Sequence, residues 1–550
     1  MTLFEKHHAL IEQAIAAGKS RNFWTSYPEN PKAYGEGMDE AGKAAFSAQM
    51  TQNFTELLQD GQAWVGEEFS PYLQLGIGVK YPQSNNETII AHASKAQELW
   101  GKTNIQTRAG LLVESLERVK ARFFEIAYAT MHTTGQAYMM SFQASGPHAN
   151  DRALEAIAIG YQQLTSIEPN AVWTKPMGKF DLTLQKNFKA MPKGIGLVIG
   201  CSTFPIWNTV PGLYADLICG NVCIVKPHPK AILPIAIVVA ELQKLLKENG
   251  IDPMVVQLAV DTVDAPVTKQ LAENKDVKLI DFTGSSAFGD YIELLENKTT
   301  FTEKAGVNCV ILDSVKDIKA VAGNIAFSAS LFSGQMCTAP QNIYIPESGI
   351  NTAEGHLSYE DARNAIVQAI TDLVDNPKMG PHILGAIQSE ATLKRLQNAG
   401  TMGGNLILAA KGVANPEFEH ARVYSPAVIE LTSADEYIYK KECFGPIVFI
   451  IKTRNTEESL HITKNLSIEI GAITCLAFCT DKNIIHHIEE TMNQVYTPVS
   501  FNLGGAAFVN SHAAFSDFHV TGGNPAGNAS FTNGEYISKR FVWVGNRMME

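Results

Sequence analysis

Four short segments carry side chains able to do covalent or acid–base chemistry. Cys337 sits in Phe332-Ser333-Gly334-Gln335-Met336-Cys337-Thr338, and Glu303 in Thr302-Glu303-Lys304-Ala305-Gly306. Asn208 closes Phe204-Pro205-Ile206-Trp207-Asn208, and Glu442 opens Glu442-Cys443-Phe444-Gly445-Pro446. A thiolate is a strong nucleophile toward carbonyl carbon. A carboxylate can take a proton from a thiol or a water, and a fixed amide can hold a developing oxyanion. A fifth segment, Phe282-Thr283-Gly284-Ser285-Ser286-Ala287-Phe288-Gly289, places glycines where a strand gives way to a helix. Backbone N–H groups and the positive helix end suit a phosphate there. Taken singly, each segment also has an ordinary structural explanation: a buried thiol, a solvated acid, a turn asparagine, a common strand–helix turn.

The elements that must position these residues are legible from periodicity. From Gly194 onward short apolar strands alternate with helices. Strands are expected at 194–200, 222–225, 255–260 and 277–282, with helices at 210–219, up to about Glu248, before Asn274 and from about Ala287. A second run opens with a strand at 309–312 and a helix leading into 331–337. Such alternation specifies a parallel sheet covered on both faces, with ligands at the carboxyl ends of its strands. Gly194, Gly196 and Gly200 lie within a strand and lack dinucleotide-fingerprint spacing, so close backbone packing explains them better. Upstream, the alternation of Leu73, Leu75, Ile77 and Val79 reads as a strand. Leu112, Leu116, Val119, Phe123 and Ile126 read as one helical stripe ending at Gly135.

At 550 residues the chain is too long for one module, and 45% hydrophobic content provides for a sizeable core. Lys plus Arg number 44 against 56 acids, a formal net charge of −12, so nucleic acid and anionic membrane are not expected partners. The longest apolar run, near 231–240, is about half of the ~20 residues that cross a bilayer. No signal peptide is apparent, and eight cysteines are too sparse for a disulfide scaffold, so a reducing cytoplasm is expected. Cys219/Cys223 and Cys475/Cys479 lie in apolar stretches without partner pairs at metal-site spacing, so no metal is expected.

Together and in this order, the segments resemble the aldehyde dehydrogenase superfamily, from about residue 60 to the C-terminus. The resemblance implies an α/β fold of two doubly wound parallel-sheet domains, dinucleotide-binding and catalytic, plus a small β oligomerisation arm. It implies a helical extension over 1–60 and a dinucleotide-binding domain over 61–305 with an arm hairpin near 172–190. A catalytic thiol domain over 306–505 and a substrate-loop region with a C-terminal oligomerisation strand over 506–550 follow. Cys337 would be the nucleophile, Asn208 an oxyanion donor, and Glu303 the base that hydrolyses a thioester formed on the thiol. The cofactor set would be Trp207, Lys226, His228, Thr283, Gly284, Ser285, Gly289, Glu442 and Phe444. The expected assembly is a homodimer or a dimer of dimers.

Departures from the family pattern sharpen two expectations. Pro229 stands where many NAD-preferring relatives carry Glu, three residues after Lys226. That absence favours NADP over NAD, with Lys226 and His228 available to a 2′-phosphate. The region Phe515-Ser516-Asp517-Phe518-His519-Val520-Thr521-Gly522-Gly523 replaces the usual substrate-loop pattern and is similar to the phenylacetate-degradation (PaaN-like) branch. That branch implies a ring-opened semialdehyde carrying a CoA thioester, with any hydratase supplied separately. A CoA-acylating dehydrogenase, a cysteine hydrolase and a non-catalytic dinucleotide-binding protein are the alternatives.

Overall fold

The computed structural model describes residues 1–509, 511 and 514–549; the expected C-terminal region 506–550 therefore includes a few positions outside the described residues. Two parallel sheets organise the chain. The first has five strands in the order Thr299–Glu303, Val277–Thr283, Ile195–Ile199, Val222–Lys226, Val256–Leu258, all parallel. Ile195–Ile199 and Val222–Lys226 are buried along their whole length, as expected when helices cover both faces. The second has seven strands in the order Asn405–Leu408, Ala427–Thr432, Ile447–Thr453, Asn342–Pro346, Cys309–Leu312, Cys475–Phe478, Val499–Phe501. Only its Asn405–Leu408 edge is antiparallel.

The glycines of the central strand serve packing. A Cβ on Gly196 would lie 1.9 Å from the Asp216 carboxylate, and one on Gly200 would lie 2.9 Å from Thr209 Oγ1. Asp216 needs that space because Arg540 Nη1 donates to it at 2.5 Å and Nη2 donates to Asp281 at 2.6 Å, with all three side chains nearly or fully buried. This cluster ties the C-terminal strand Phe541–Met549 to the first sheet. The strand then joins Asn170–Pro176 and Asp181–Pro192 in a three-stranded antiparallel arm.

Two expected elements differ. The alternation at 73–79 yields only the two-residue strand Leu75–Gly76, because Pro71 to Gln74 form a turn held by the Ser70 carbonyl and hydroxyl. The long helical stripe is two helices, Ile105–Lys120 and Phe123–Thr134. The break falls at Arg122, whose guanidinium donates to Glu56, Glu125 and Glu241 at 2.6–2.9 Å. The stripe still faces inward on both helices, and Gly135, at φ 86°, ends the second.

Residues 1–60 are more than an appended lead-in. Their helices Leu3–Ser20 and Met38–Gln49 bury Ile11, Ala14 and Phe46 in the same core as the first sheet.

Candidate active site

Glu303 ends its strand beside Thr283, and the Gly284 amide donates to the Glu303 carbonyl at 3.0 Å. Both side chains thus emerge at carboxyl ends of neighbouring parallel strands. Asn208 enters from the turn after Ile195–Ile199. Cys337 arrives from the chain that leads into the seven-stranded sheet. The helix Ile318–Ser330 is followed by Phe332, Ser333 and Gly334 at φ 51°, 51° and 64°. Left-handed conformations cost non-glycine residues about 1–3 kcal/mol each and persist only where surroundings enforce them. Here the Ser333 hydroxyl donates to the Gly385 carbonyl at 2.8 Å, and a Cβ on Gly334 would strike the Gly445 carbonyl at 2.5 Å. Asn308 completes the mount: its amide donates to the Cys337 carbonyl at 2.7 Å and accepts from the Ile473 and Thr474 amides.

The ligand atoms of Cys337, Glu303 and His519 lie within 4.8 Å of one another. Glu303 is 2% exposed; it accepts from Asn208 Nδ2 at 2.9 Å, and its Oε1 lies 3.0 Å from His519 Nε2. The Cys337 sulfur stands within 4.8 Å of this carboxylate. Burial and the adjacent Glu303 charge hold the thiol well above the usual cysteine range, so Cys337 rests protonated. Burial alone would raise the Glu303 carboxyl, but the His519 imidazole, Arg152 and the thiol together keep it below the ordinary carboxylate range. The resting pair is a neutral thiol against an ionised acceptor, which is the arrangement needed to make a thiolate only when an electrophile arrives.

Cys337 forms a wall shared by two cavities. One, of about 260 Å³, is lined by Asn208, Thr283, Gly284, Ser285, Glu442 and Phe444 together with Glu303. The helix Ser286–Glu293 begins in its wall, and Ser285 makes no side-chain cap, which leaves first-turn N–H groups for an anion. Burial pushes Glu442 up to about 7. The other cavity, of about 120 Å³, is lined by Met140, Ala144, Phe204, Trp207, Leu331, Met336, Phe508 and a few neighbours.

A family model for the aldehyde dehydrogenase family matches residues 77–468. The chain belongs to the aldehyde dehydrogenase family. Its fold is that of an NAD-dependent aldehyde dehydrogenase from Burkholderia multivorans, with which it shares 44% identity over 100% of both chains at a TM-score of 0.97. An alpha-ketoglutaric semialdehyde dehydrogenase of Bacillus subtilis (strain 168) is 24% identical over 70% of this chain and 76% of its own length. A 1-pyrroline-5-carboxylate dehydrogenase of Bacillus cytotoxicus is 23% identical over 88% of this chain and 92% of its own. This dehydrogenase is thus an oxidoreductase acting on aldehydes with a nicotinamide dinucleotide, which supplies the hydride acceptor. The larger cavity fits such a group: open helix amides for a pyrophosphate, the Glu442 carboxyl for ribose hydroxyls, and the Phe444 ring beside them.

Of the residues expected at the cofactor, Thr283, Gly284, Ser285, Glu442 and Phe444 share that cavity with Asn208, Glu303 and Cys337. Trp207 does not. It lines the smaller cavity, with the Arg152 guanidinium 3.5 Å from its ring centroid and His519 edge-on at 4.8 Å. Gly289 lies outside the lining because its Cα faces the Lys304 chain, which a Cβ would meet at 2.4 Å. Lys226 is buried against Asp261, 2.7 Å away. His228 is largely buried and accepts from the Lys230 amide, and burial beside Lys226 and Lys230 pushes it down to about 4, so it is neutral near pH 7.

His519, Asn308 and Arg152 are site residues that motif reading passed over. No local pattern marks them, since their partners lie far along the chain; His519 stood in a segment that departs from the family pattern. Cys201 also lines the larger cavity, so Cys337 is not the sole cysteine there.

Proposed function

We propose that the protein oxidises an aldehyde to a carboxylic acid by a hydrolytic thioester route, with Cys337 as nucleophile, Asn208 as oxyanion donor and Glu303 as base. The observation that carries this reading is Cys337 standing between a polar cavity suited to a dinucleotide and an apolar one suited to an aldehyde chain. Glu303, within 4.8 Å of the thiol, favours hydrolysis over transfer to CoA, which needs no water-activating base.

The smaller cavity has room for about four water-sized groups and, among the described residues, contains no lysine or arginine in its lining. It suits a short, uncharged segment next to the carbonyl. The carboxylate-bearing substrates named for the Bacillus relatives would find no lysine or arginine there among the described residues, and His148 is already engaged by Glu29 at 2.7 Å. A ring-opened semialdehyde with a CoA thioester at its far end meets this requirement, its bulky portion lying outside.

For the cofactor, the expectation of NADP rested on Lys226 lacking an acidic neighbour. Asp261 is that neighbour, His228 carries no charge near neutrality, and Lys230 lies 3.3 Å from Glu67. No unpaired cation remains in Val225–Lys230 for a 2′-phosphate, and NAD is the better fit. An aldehyde panel assayed with both cofactors by reduced-nicotinamide formation tests both points. Neutral-tailed aldehydes should exceed carboxylate-bearing ones, and NAD should exceed NADP, each by about tenfold or more in kcat/KM, the scale of one missing charge partner. A preference for succinate-like semialdehydes or for NADP would remove the corresponding part of the reading.

The arm is proposed as the oligomer contact. Its edge strand Asn170–Pro176 is exposed along its whole length, and Val172, Phe180, Val542 and Met548 expose more than half of their surface. An unpaired apolar edge of this kind needs a cover. Val172→Glu with Val542→Glu should reduce the sedimenting mass to that of a single chain. An unchanged mass would place the contact elsewhere.

A further inference from the structure

The loop that carries His519 holds a left-handed residue on each side of it, Phe515 at φ 62° and Val520 at φ 57°. Residues with a Cβ disfavour that conformation, so the loop keeps its shape only where its surroundings impose it. Those surroundings come from the N-terminal segment. Trp24 packs edge-on against the Phe515 ring at 4.8 Å, and the Arg21 guanidinium covers the Phe518 ring at 4.2 Å. Arg21 is itself fixed. It caps the helix Leu3–Ser20 at φ 56°, its amide donates to the Ala17 carbonyl at 3.0 Å, and its Nη1 lies 3.6 Å from the buried Glu155 carboxylate. What the loop delivers is the buried His519 imidazole, whose Nε2 lies 3.0 Å from Glu303 Oε1. An ionised carboxylate only accepts, so Nε2 carries the hydrogen of this bond.

The same segment fastens the helix Pro147–Leu164. The Ser26 amide donates to Asp151 Oδ1 at 3.0 Å and the Thr25 hydroxyl to Oδ2 at 2.5 Å. The next residue, Arg152, lies over the Trp207 ring that His519 meets edge-on. Residues 21–26 thus hold both groups whose charge or N–H favours an ionised Glu303. We propose that Arg21 and Trp24 are positioning residues for the catalytic base, holding the 515–520 loop in the shape that presents the His519 N–H to Glu303. Neither touches the reacting atoms; their effect runs through the imidazole. With the loop released, Glu303 keeps its Asn208 donor, 2.9 Å away, and loses His519. A buried carboxyl short of a donor takes up its proton at a higher pH, and its oxygens are no longer held toward the thiol. Among the described residues the titratable and charged groups facing Glu303 are His519, Cys337, Cys201 and Arg152, and substitution of Arg21 and Trp24 alters none of them.

This inference rests on the reading of Glu303 as base, so Glu303→Gln is run alongside. Arg21→Gln combined with Trp24→Ala should lower kcat at neutral pH by about tenfold, the scale of a misplaced catalytic group. The acidic limb of the kcat profile should move about one pH unit or more to the alkaline side, since the carboxyl has lost a donor to its charged form. The KM for the dinucleotide should stay within about threefold, because residues 283–285 and Glu442 lie on other elements. Arg21→Lys with Trp24→Phe keeps a cation and a ring and should restore both rate and limb. An acidic limb that stays in place overturns the proposal even where kcat falls, because loss of packing alone slows turnover without retuning the base. His519→Ala should show the same displaced limb. Added to it, Arg21→Gln with Trp24→Ala should cost no more than about twofold further, and a full multiplicative loss overturns the proposal. Should the paired substitution not fold, Arg21→Gln alone, at a side chain 28% exposed, carries the same readouts. Normal turnover by Glu303→Gln would instead fell the base assignment itself.

Discussion

A Cys337→Ala variant is expected to lose aldehyde oxidation by at least about 10³-fold, the scale on which removal of a covalent nucleophile is felt. Cofactor binding should remain near normal, because the helix amides at Ser285 and the Glu442 carboxyl do not depend on the thiol. Folding should also survive. The Cys337 loop is held by Ser333, Asn308 and the left-handed turn at 332–334, not by the sulfur. Reduced-nicotinamide formation together with dinucleotide titration by fluorescence checks this. Residual turnover above about a tenth of normal would show that another group, of which Cys201 in the same cavity is the candidate, carries the reaction.

Glu303→Gln should separate the two halves of the reaction. Glutamine can keep the contact with Asn208, yet it takes no proton. A lost general base typically costs about 10²–10⁴-fold, and here the cost should fall most heavily on deacylation. Quenched protein should carry the substrate's acyl mass on Cys337. Acylation should slow as well, since the ionised carboxylate is the base beside the thiol. The pH dependence has a definite sign. The Glu303 carboxyl lies below the ordinary carboxylate range, so the base is ionised throughout the neutral region, and deacylation should fail only when the medium is more acidic than that ordinary range. A deacylation rate that titrated instead near neutrality would point to a different base.

How much of this was legible in the residues alone divides along a physical line. Strand and helix assignments from Gly194 onward rest on local periodicity, and Ile195–Ile199, Val210–Ile218, Val222–Lys226 and Cys309–Leu312 lie where the pattern put them. Two misreadings upstream were local patterns overruled by distant partners. Arg122 breaks a continuous apolar stripe because Glu56 and Glu241, far away in sequence, draw its guanidinium in. At 73–79 only Leu75–Gly76 finds a partner, the two-residue strand Phe69–Ser70, and the turn before it is held by Ser70.

The site follows the same division. Cys337, Glu303, Asn208 and Glu442 could be named from motif order, because each has a characteristic neighbourhood within a few residues. What those groups touch could not be named. His519 meets Glu303 across 216 positions, and Lys226 meets Asp261 from the end of a neighbouring strand. Trp207, one residue from Asn208, turns into the other cavity because Arg152 and His519 pack against its ring. Residue type and spacing determine which atoms can be nucleophile, base or donor. Ionisation, orientation and the chemistry of the two cavities depend on charges and surfaces brought together only when the chain closes, and tertiary structure alone decided those.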